Sequence, residues 1–235
     1  VAVYLGHRLE LPWLGVFVGP ASIFWIVAVA NAYNLIDNMD GLAAGVGVIS
    51  LGFMAATLSG DSNPMLAVAA FALMGSLVGF LVFNFNPASI FMGDACSMFI
   101  GLTLAVLSMH GGKQAGGLAA VAVPCLVLVI PLLDMILVSA TRVLTGRSVA
   151  QGGRDHSSHR LVSLGLTERS AVLVLWGLAA AAGLGAVFAA HSTTFSGMLP
   201  IVLLVAGFGI FGVYLSQMTF EEPPARRGAK AQYIT

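Results

Sequence analysis

The chain has 235 residues, 58% of them hydrophobic and 9% charged, with a formal net charge of zero. Soluble domains carry roughly 25% charged residues, so the composition excludes an ordinary soluble domain and marks an integral membrane protein. The neutral charge balance gives no basic footprint for a nucleic acid.

Residues 1–19 mix Pro12 with aromatic and charged residues and read as an extended or interfacial segment. A helix needs about 20 mostly apolar residues to cross a bilayer. Seven stretches reach or approach that length: about 20–36, 41–58, 64–83, 96–109, 118–143, 170–190 and 197–217. Helices satisfy their own backbone in lipid, and the alternation of a transmembrane barrel is missing from the sequence. The predicted fold class is therefore all-α, a polytopic membrane bundle of about seven helices over residues 1–218, with a polar, disordered tail at 219–235. Pro124 and Pro131 fall inside the fifth stretch, where each removes a backbone donor and is expected to kink the helix. Cys96 and Cys125 lie in or beside apolar stretches and read as small core residues rather than a disulfide or metal pair.

The link at 142–169 is the one long connection, and it is rich in arginine. Placing it in the cytoplasm and alternating sides puts Arg142, Arg147, Arg154, Arg160, Arg169, Arg226, Arg227 and Lys230 inside, eight of the ten Lys and Arg residues. That is the asymmetry of the positive-inside rule. The same alternation gathers three polar stretches on one face, at about 31–45, 84–97 and 142–169. Carboxylates collected at one membrane face need a cation to stay ionised together.

In the first stretch, Asn31, Asn34, Asp37 and Asp40 recur every three residues along one side of a helix end. Asn offers uncharged donors and acceptors, and Asp offers oxygen ligands for Mg²⁺. Asp40 has a second reading, as the cap of a helix starting at Gly41. The second stretch, with Asn84 and Asn86 before Pro87, ends in Asp94. Asp94 reads as a metal ligand, or as a helix cap favoured by the helix dipole. The third holds Asp155, His156, Ser157, Ser158, His159 and Arg160. His with Arg suits phosphate contacts or proton transfer, and the bland alternative is a basic loop on anionic lipid. Zinc is weakly supported, since the stretch has two His, no Cys and no HExxH spacing. Asp134, inside the fifth stretch, reads either as a partner for an arginine such as Arg142 or as a functional group. GxSxG, P-loop and GxGxxG contexts do not occur, so the chemistry that fits is phosphoryl transfer between a nucleotide-linked donor and a lipid phosphate.

The runs NAYNLIDNMDGLAAG, NFNPASIFMGDACSMFIG and PLLD through DHSSHRL, in that order from about residue 31 to 166, resemble the polyprenyl-phosphate N-acetylhexosamine-1-phosphate transferases. These include the enzymes that start O-antigen, enterobacterial common antigen and teichoic-acid linkage units of the bacterial envelope. The resemblance implies a multi-pass inner-membrane enzyme with its site on the cytoplasmic face. It also implies Mg²⁺, with Mn²⁺ as a substitute, and transfer of a sugar 1-phosphate from a UDP-N-acetylhexosamine to undecaprenyl phosphate with release of UMP; it leaves a homo-oligomer open. Carried over, Asp37, Asp40 and Asp94 would be catalytic and Asp94 a metal ligand. Asn31, Asn34, Asn84, His156, His159 and Arg160 would bind substrate, with Arg160 gripping the donor diphosphate.

The chain departs from the family pattern at several points. Asp37-Asn38-Met39-Asp40-Gly41 stands where Asp-Gly-Leu-Asp-Gly is common, Gly93-Asp94-Ala95-Cys96-Ser97 where Gly-Asp-Thr-Gly-Ser is common, and Ser158 where a histidine is common. Restoring that histidine with Ser158→His is expected to be tolerated. The family's Asp-Asp pair does not occur in these 235 residues, and the first residue is Val1; the expectation is that an amino-terminal part precedes it. The rival readings are a non-catalytic scaffold or inactive paralogue, and a transporter, whose polar groups belong near the midplane of broken helices rather than at one end.

Overall fold

A computed structural model describes residues 2–3, 8–9, 11–58, 63–115, 119–149, 153–191 and 198–217. The connections at 59–62, 116–118, 150–152 and 192–197 and the predicted polar tail, with Arg226, Arg227 and Lys230, lie outside them. A short 3-10 turn, Pro12–Phe17, leads into α1 (Val18–Leu35). Then follow α2 (Leu42–Thr57), α3 (Pro64–Asn84), α4 (Asp94–Ala115), α5 (Ala119–Val127), α6 (Val129–Leu144), α7 (Ser157–Ser163), α8 (Glu168–His191) and α9 (Met198–Ser216). Among the described residues the fold is wholly helical, as the apolar runs predict.

Each of the seven apolar stretches is helical, but they are not seven equal spans. Four helices are long and apolar enough to cross a membrane: Trp13–Leu35, Pro64–Asn84, Asp94–Gly111 and Glu168–His191. A fifth comes from α5 and α6 together, bent by 81° at their junction, while α2 and the Ile201–Ser216 part of α9 are shorter apolar helices. The first span thus begins earlier than expected, taking in part of the segment read as interfacial. Cys125 is half-buried and Cys96 is exposed, outside the core; both are free thiols.

The bend shows how the chain handles the second of its two prolines, while Pro124 stays inside α5. Pro131 is the third residue of α6, in the first turn, where a backbone N–H has no intrahelical partner in any case. The break therefore falls before it, at Leu128. The carbonyl of Val127, four residues ahead of Pro131, receives no N–H from it; the Ser50 hydroxyl on α2 donates to that carbonyl at 2.8 Å. A carbonyl left bare in the apolar interior would cost about 1–3 kcal/mol.

Helix α1 packs on α4, and α2 lies between α3 and α8. The α1–α4 contact is close because Gly101 carries no side chain: a Cβ there would sit 2.8 Å from the Ala30 Cα. A core running through α2, α4, α5 and α8 includes Leu51, Met54, Leu104, Leu126 and Leu175, while α1 and α3 turn Phe24, Val27, Phe71 and Val82 outward, as lipid-facing helices do. The alternation of directions brings the end of α1, the start of α2, the end of α3 and the starts of α4 and α8 to one end of the bundle. Helix α7 and the carboxyl ends of α6 and α9 join them there through the contacts given next.

Candidate functional site

The acidic part of the site is built at the junction of α1, α2, α3 and α4. Asn34, on the last turn of α1, donates to Ser97 Oγ at 2.8 Å and reaches Asp94 Oδ1 at 3.4 Å. Asp94 is the first residue of α4, where the free N–H groups of the helix favour a negative charge. Asp37 and Asp40 lie on the turn between α1 and α2. The turn closes at Gly41, whose φ of 77° suits glycine and whose N–H donates to Asn84 Oδ1 at 3.1 Å. Asn84 also donates to the Ile90 carbonyl at 2.9 Å. Asp37, Asn38, Asp40, Asn84, Phe91 and Asp94 line one cavity of about 340 Å³. Burial first, and then the neighbouring Asp94 carboxylate, hold the Asp37 carboxyl above its ordinary range.

Asp40 does not cap α2. Gly41 occupies the cap position without a side-chain bond, and Asp40 Oδ2 instead accepts the Ala88 N–H at 2.9 Å and the Asn86 amide at 3.3 Å. Asp40 thus ties the α1–α2 turn to the loop after α3. Asn86 extends the tie to α8: its amide donates to Glu168 at 2.9 Å, and Arg169 donates to the Asn86 carbonyl at 2.9 Å.

The histidine stretch is held by two buried carboxylates. Arg142 on α6 pairs with Asp155 through two hydrogen bonds, at 2.8 and 2.7 Å. Burial alone would raise the Asp155 pKa, but the bonds and charge of Arg142 prevail and hold it below the usual carboxylate range. Asp134 therefore does not pair with Arg142. Its Oδ2 lies 2.7 Å from His156 Nδ1, and its Oδ1 accepts the Ser157 N–H at 2.6 Å. Ser158 donates to Asn38 Oδ1 at 2.6 Å, which joins α7 to the wall of the acidic cavity. His159 is half-buried, its ring 6.4 Å from that of His156. Burial, followed by the charge of His156, pushes its pKa down.

The three polar stretches therefore meet, although the residues in them do different things. Asp37, Asp40, Asn84 and Asp94 reach the cavity; Asn34 orients Asp94 from behind. Asn31 does not take part: it is exposed and its amide donates to the Val27 carbonyl of its own helix. Asn84, with both ends of its amide engaged in the backbone, is a brace. Arg160 is 1% exposed and donates to the carbonyls of Asp155 and Leu215, at 2.8 and 2.7 Å. A guanidinium committed in this way locks α7 to α9 and does not grip a diphosphate bidentately, so the role expected for it gives way to a structural one. Sequence reasoning missed Asn38, Asn86 and the Asp134–His156 pair. The lone polar residue between Asp37 and Met39 and the intramembrane carboxylate were the available signals.

No group of three or more His, Cys, Asp or Glu close enough to hold a metal occurs among the described residues. An all-protein cage of the zinc type is therefore not built among the described residues. Mg²⁺ asks for less, one or two carboxylates completed by water and substrate phosphates. Asp37 and Asp94, hard oxygen donors whose charges repel across one cavity, fit that demand.

An all-helical, multi-pass membrane protein that collects carboxylates, asparagines and a histidine helix at one end of its bundle is the class that fold and site define. Residues 2–112 match the model of glycosyl transferase family 4, and the chain belongs to that family. It is 32% identical over 202 residues to a Bacillus subtilis protein named probable undecaprenyl-phosphate N-acetylglucosaminyl 1-phosphate transferase, covering 86% of this chain and 56% of the relative. It is 36% identical over 169 residues to decaprenyl-phosphate N-acetylglucosaminephosphotransferase of Mycobacterium tuberculosis, covering 64% of this chain and 42% of the relative. It is 29% identical over 216 residues to undecaprenyl-phosphate alpha-N-acetylglucosaminyl 1-phosphate transferase of Yersinia pestis, covering 88% and 59%. The chain thus spans about half the length of these relatives.

Proposed function

We propose that this end of the bundle is the donor site of an enzyme that moves an N-acetylhexosamine 1-phosphate from a UDP-sugar to a polyprenyl phosphate and releases UMP. The observation that carries the reading is the cavity shared by Asp37 and Asp94, whose mutual repulsion calls for a cation and, with it, an anionic ligand. The names of the relatives supply the acceptor class and the sugar.

In the proposed reaction an oxygen of the acceptor phosphate forms a bond to the sugar-linked phosphorus. The bond from that phosphorus to the UMP oxygen breaks, and the electron pair leaves with UMP. A phosphate monoester has a second pKa of about 6, so the acceptor is largely ionised at neutral pH and needs no strong base. Mg²⁺ held at Asp94 and Asp37, or Mn²⁺ in its place, would supply charge neutralisation for the diphosphate and the leaving group. Asn34 reaches the Asp94 carboxylate while Ser97, which accepts from Asn34, donates to the Asp94 backbone carbonyl, and Asp40 holds the 86–88 turn against the cavity. His159, kept neutral by burial and by His156, offers both a donor and an acceptor at neutral pH.

The arginines of the 142–169 link support a cytoplasmic site on a bacterial inner membrane. The test is an assay of the purified protein with undecaprenyl phosphate and a panel of UDP-N-acetylhexosamines. One UMP per lipid-linked sugar, for at least one donor, is the expected result; no lipid product with any donor would leave the chain a scaffold.

A further inference from the structure

We infer that Asp134 is a positioning residue for His156, fixing which ring nitrogen that histidine presents to the donor phosphates; the inference rests on the transfer reaction proposed above. Asp134 is 0% exposed, and its two oxygens face two successive donors, the His156 ring and the Ser157 N–H. A carboxylate only accepts hydrogen bonds. In the neutral ring the single proton therefore sits on Nδ1, and Nε2 is the lone-pair face. The Ser157 contact seats the first turn of α7 on α6 at the same time.

One residue further on, Ser158 bonds to Asn38, which lines the acidic cavity. The Asn38 amide in turn donates to the Leu35 carbonyl at 2.7 Å, so its oxygen is turned toward Ser158. A continuous chain of contacts thus runs from Asp134 through three consecutive residues of the histidine stretch to the cavity wall. Among the described residues nothing pairs with His156 Nε2, which leaves that nitrogen for a ligand.

The informative variant is Asp134→Asn, because Ser157 dictates how the new amide lies. The Ser157 N–H needs an acceptor, so the Asn oxygen takes that side and its NH₂ faces His156. Nδ1 must then accept, and the proton moves to Nε2. Seating is kept while the tautomer is reversed. The experiment combines ¹⁵N-histidine NMR with steady-state kinetics on the intact membrane protein, for wild type, Asp134→Asn, His156→Gln and the double variant.

The wild type should show the Nδ1–H form at His156, identified by its loss in His156→Gln, and Asp134→Asn the Nε2–H form. The turnover number should fall about 10–100-fold, as when a carboxylate behind a functional histidine is lost, with the unfolding temperature unchanged. In the His156→Gln background Asp134→Asn should cost nothing further. An Nε2–H form in the wild type overturns the inference without any appeal to a variant. So does undiminished transfer in Asp134→Asn, or an equal loss in both backgrounds. A wild type that transfers no sugar phosphate contradicts the functional reading instead, while the spectra still decide the pairing.

Discussion

At Ser158 the chain carries a small hydroxyl where a histidine is common in the family it resembles, and Asn38 stands where glycine is common. The two departures touch: Ser158 donates to Asn38 at 2.6 Å and is 0% exposed. Asn38 borders the room that a larger residue at 158 would need. Ser158→His alone is therefore expected to be destabilising, contrary to the expectation from sequence, by about 1–3 kcal/mol of overpacking. Adding Asn38→Gly should recover part of the loss. Thermal unfolding in detergent checks this, and a single variant as stable as the parent would show that the site has spare room. Asp37 makes the opposite kind of prediction. Its folded pKa is raised, by burial and then by Asp94, so its stabilising effect is present below the ordinary carboxylate range and is lost as pH rises through the folded value. At neutral pH, without metal, the ionised group is a liability. Asp37→Asn should raise the unfolding temperature of the metal-free protein near pH 7, with the gain shrinking below about pH 4, while weakening transfer. An unfolding temperature that falls at pH 7 would contradict the assigned repulsion.

The helices were legible in the sequence because a bilayer demands long apolar runs, and each run became a helix. Their detailed joints were not. Two prolines announced a kink in the fifth stretch; Pro124 stays inside α5, and the break lies at Leu128, which puts Pro131 in the first turn of α6, where a proline costs little. What makes the break tolerable is Ser50, 77 residues away in the chain. Ser50→Ala should leave the Val127 carbonyl bare and cost about 1–3 kcal/mol, read as a lower unfolding temperature; no change would mean that the carbonyl has another partner. The same limit governed the site. The residue types in the three polar stretches were visible, but the pairing was not: Arg142 takes Asp155 and Asp134 takes His156, a choice set by tertiary packing rather than by local pattern. Arg160 looked like a phosphate ligand because arginine is one wherever it is exposed, and its burial against α9 is a tertiary fact that no local pattern announces.

At the scale of the whole molecule the site depends on chain direction. Helix ends distant in sequence meet at one pole because α1 to α4 alternate and the bent α5–α6 unit returns the chain to the same end. The arginines of the link are the basis for proposing that this pole faces the cytoplasm. A cysteine introduced by Arg154→Cys, in a background carrying Cys96→Ser and Cys125→Ser, should react with an impermeant thiol reagent only after cells are opened. Labelling of intact cells would place the site outside. The central claim is that the cavity between Asp37 and Asp94 is where the donor and its metal are held. Its most direct test is the rate of lipid-linked sugar formation by Asp94→Asn in the intact protein, with Mg²⁺ varied. The account predicts a loss on the order of 10³-fold or more with the fold intact, as a lost charged ligand removes several kcal/mol from the transition state. Near-normal turnover of Asp94→Asn at limiting Mg²⁺ would contradict it.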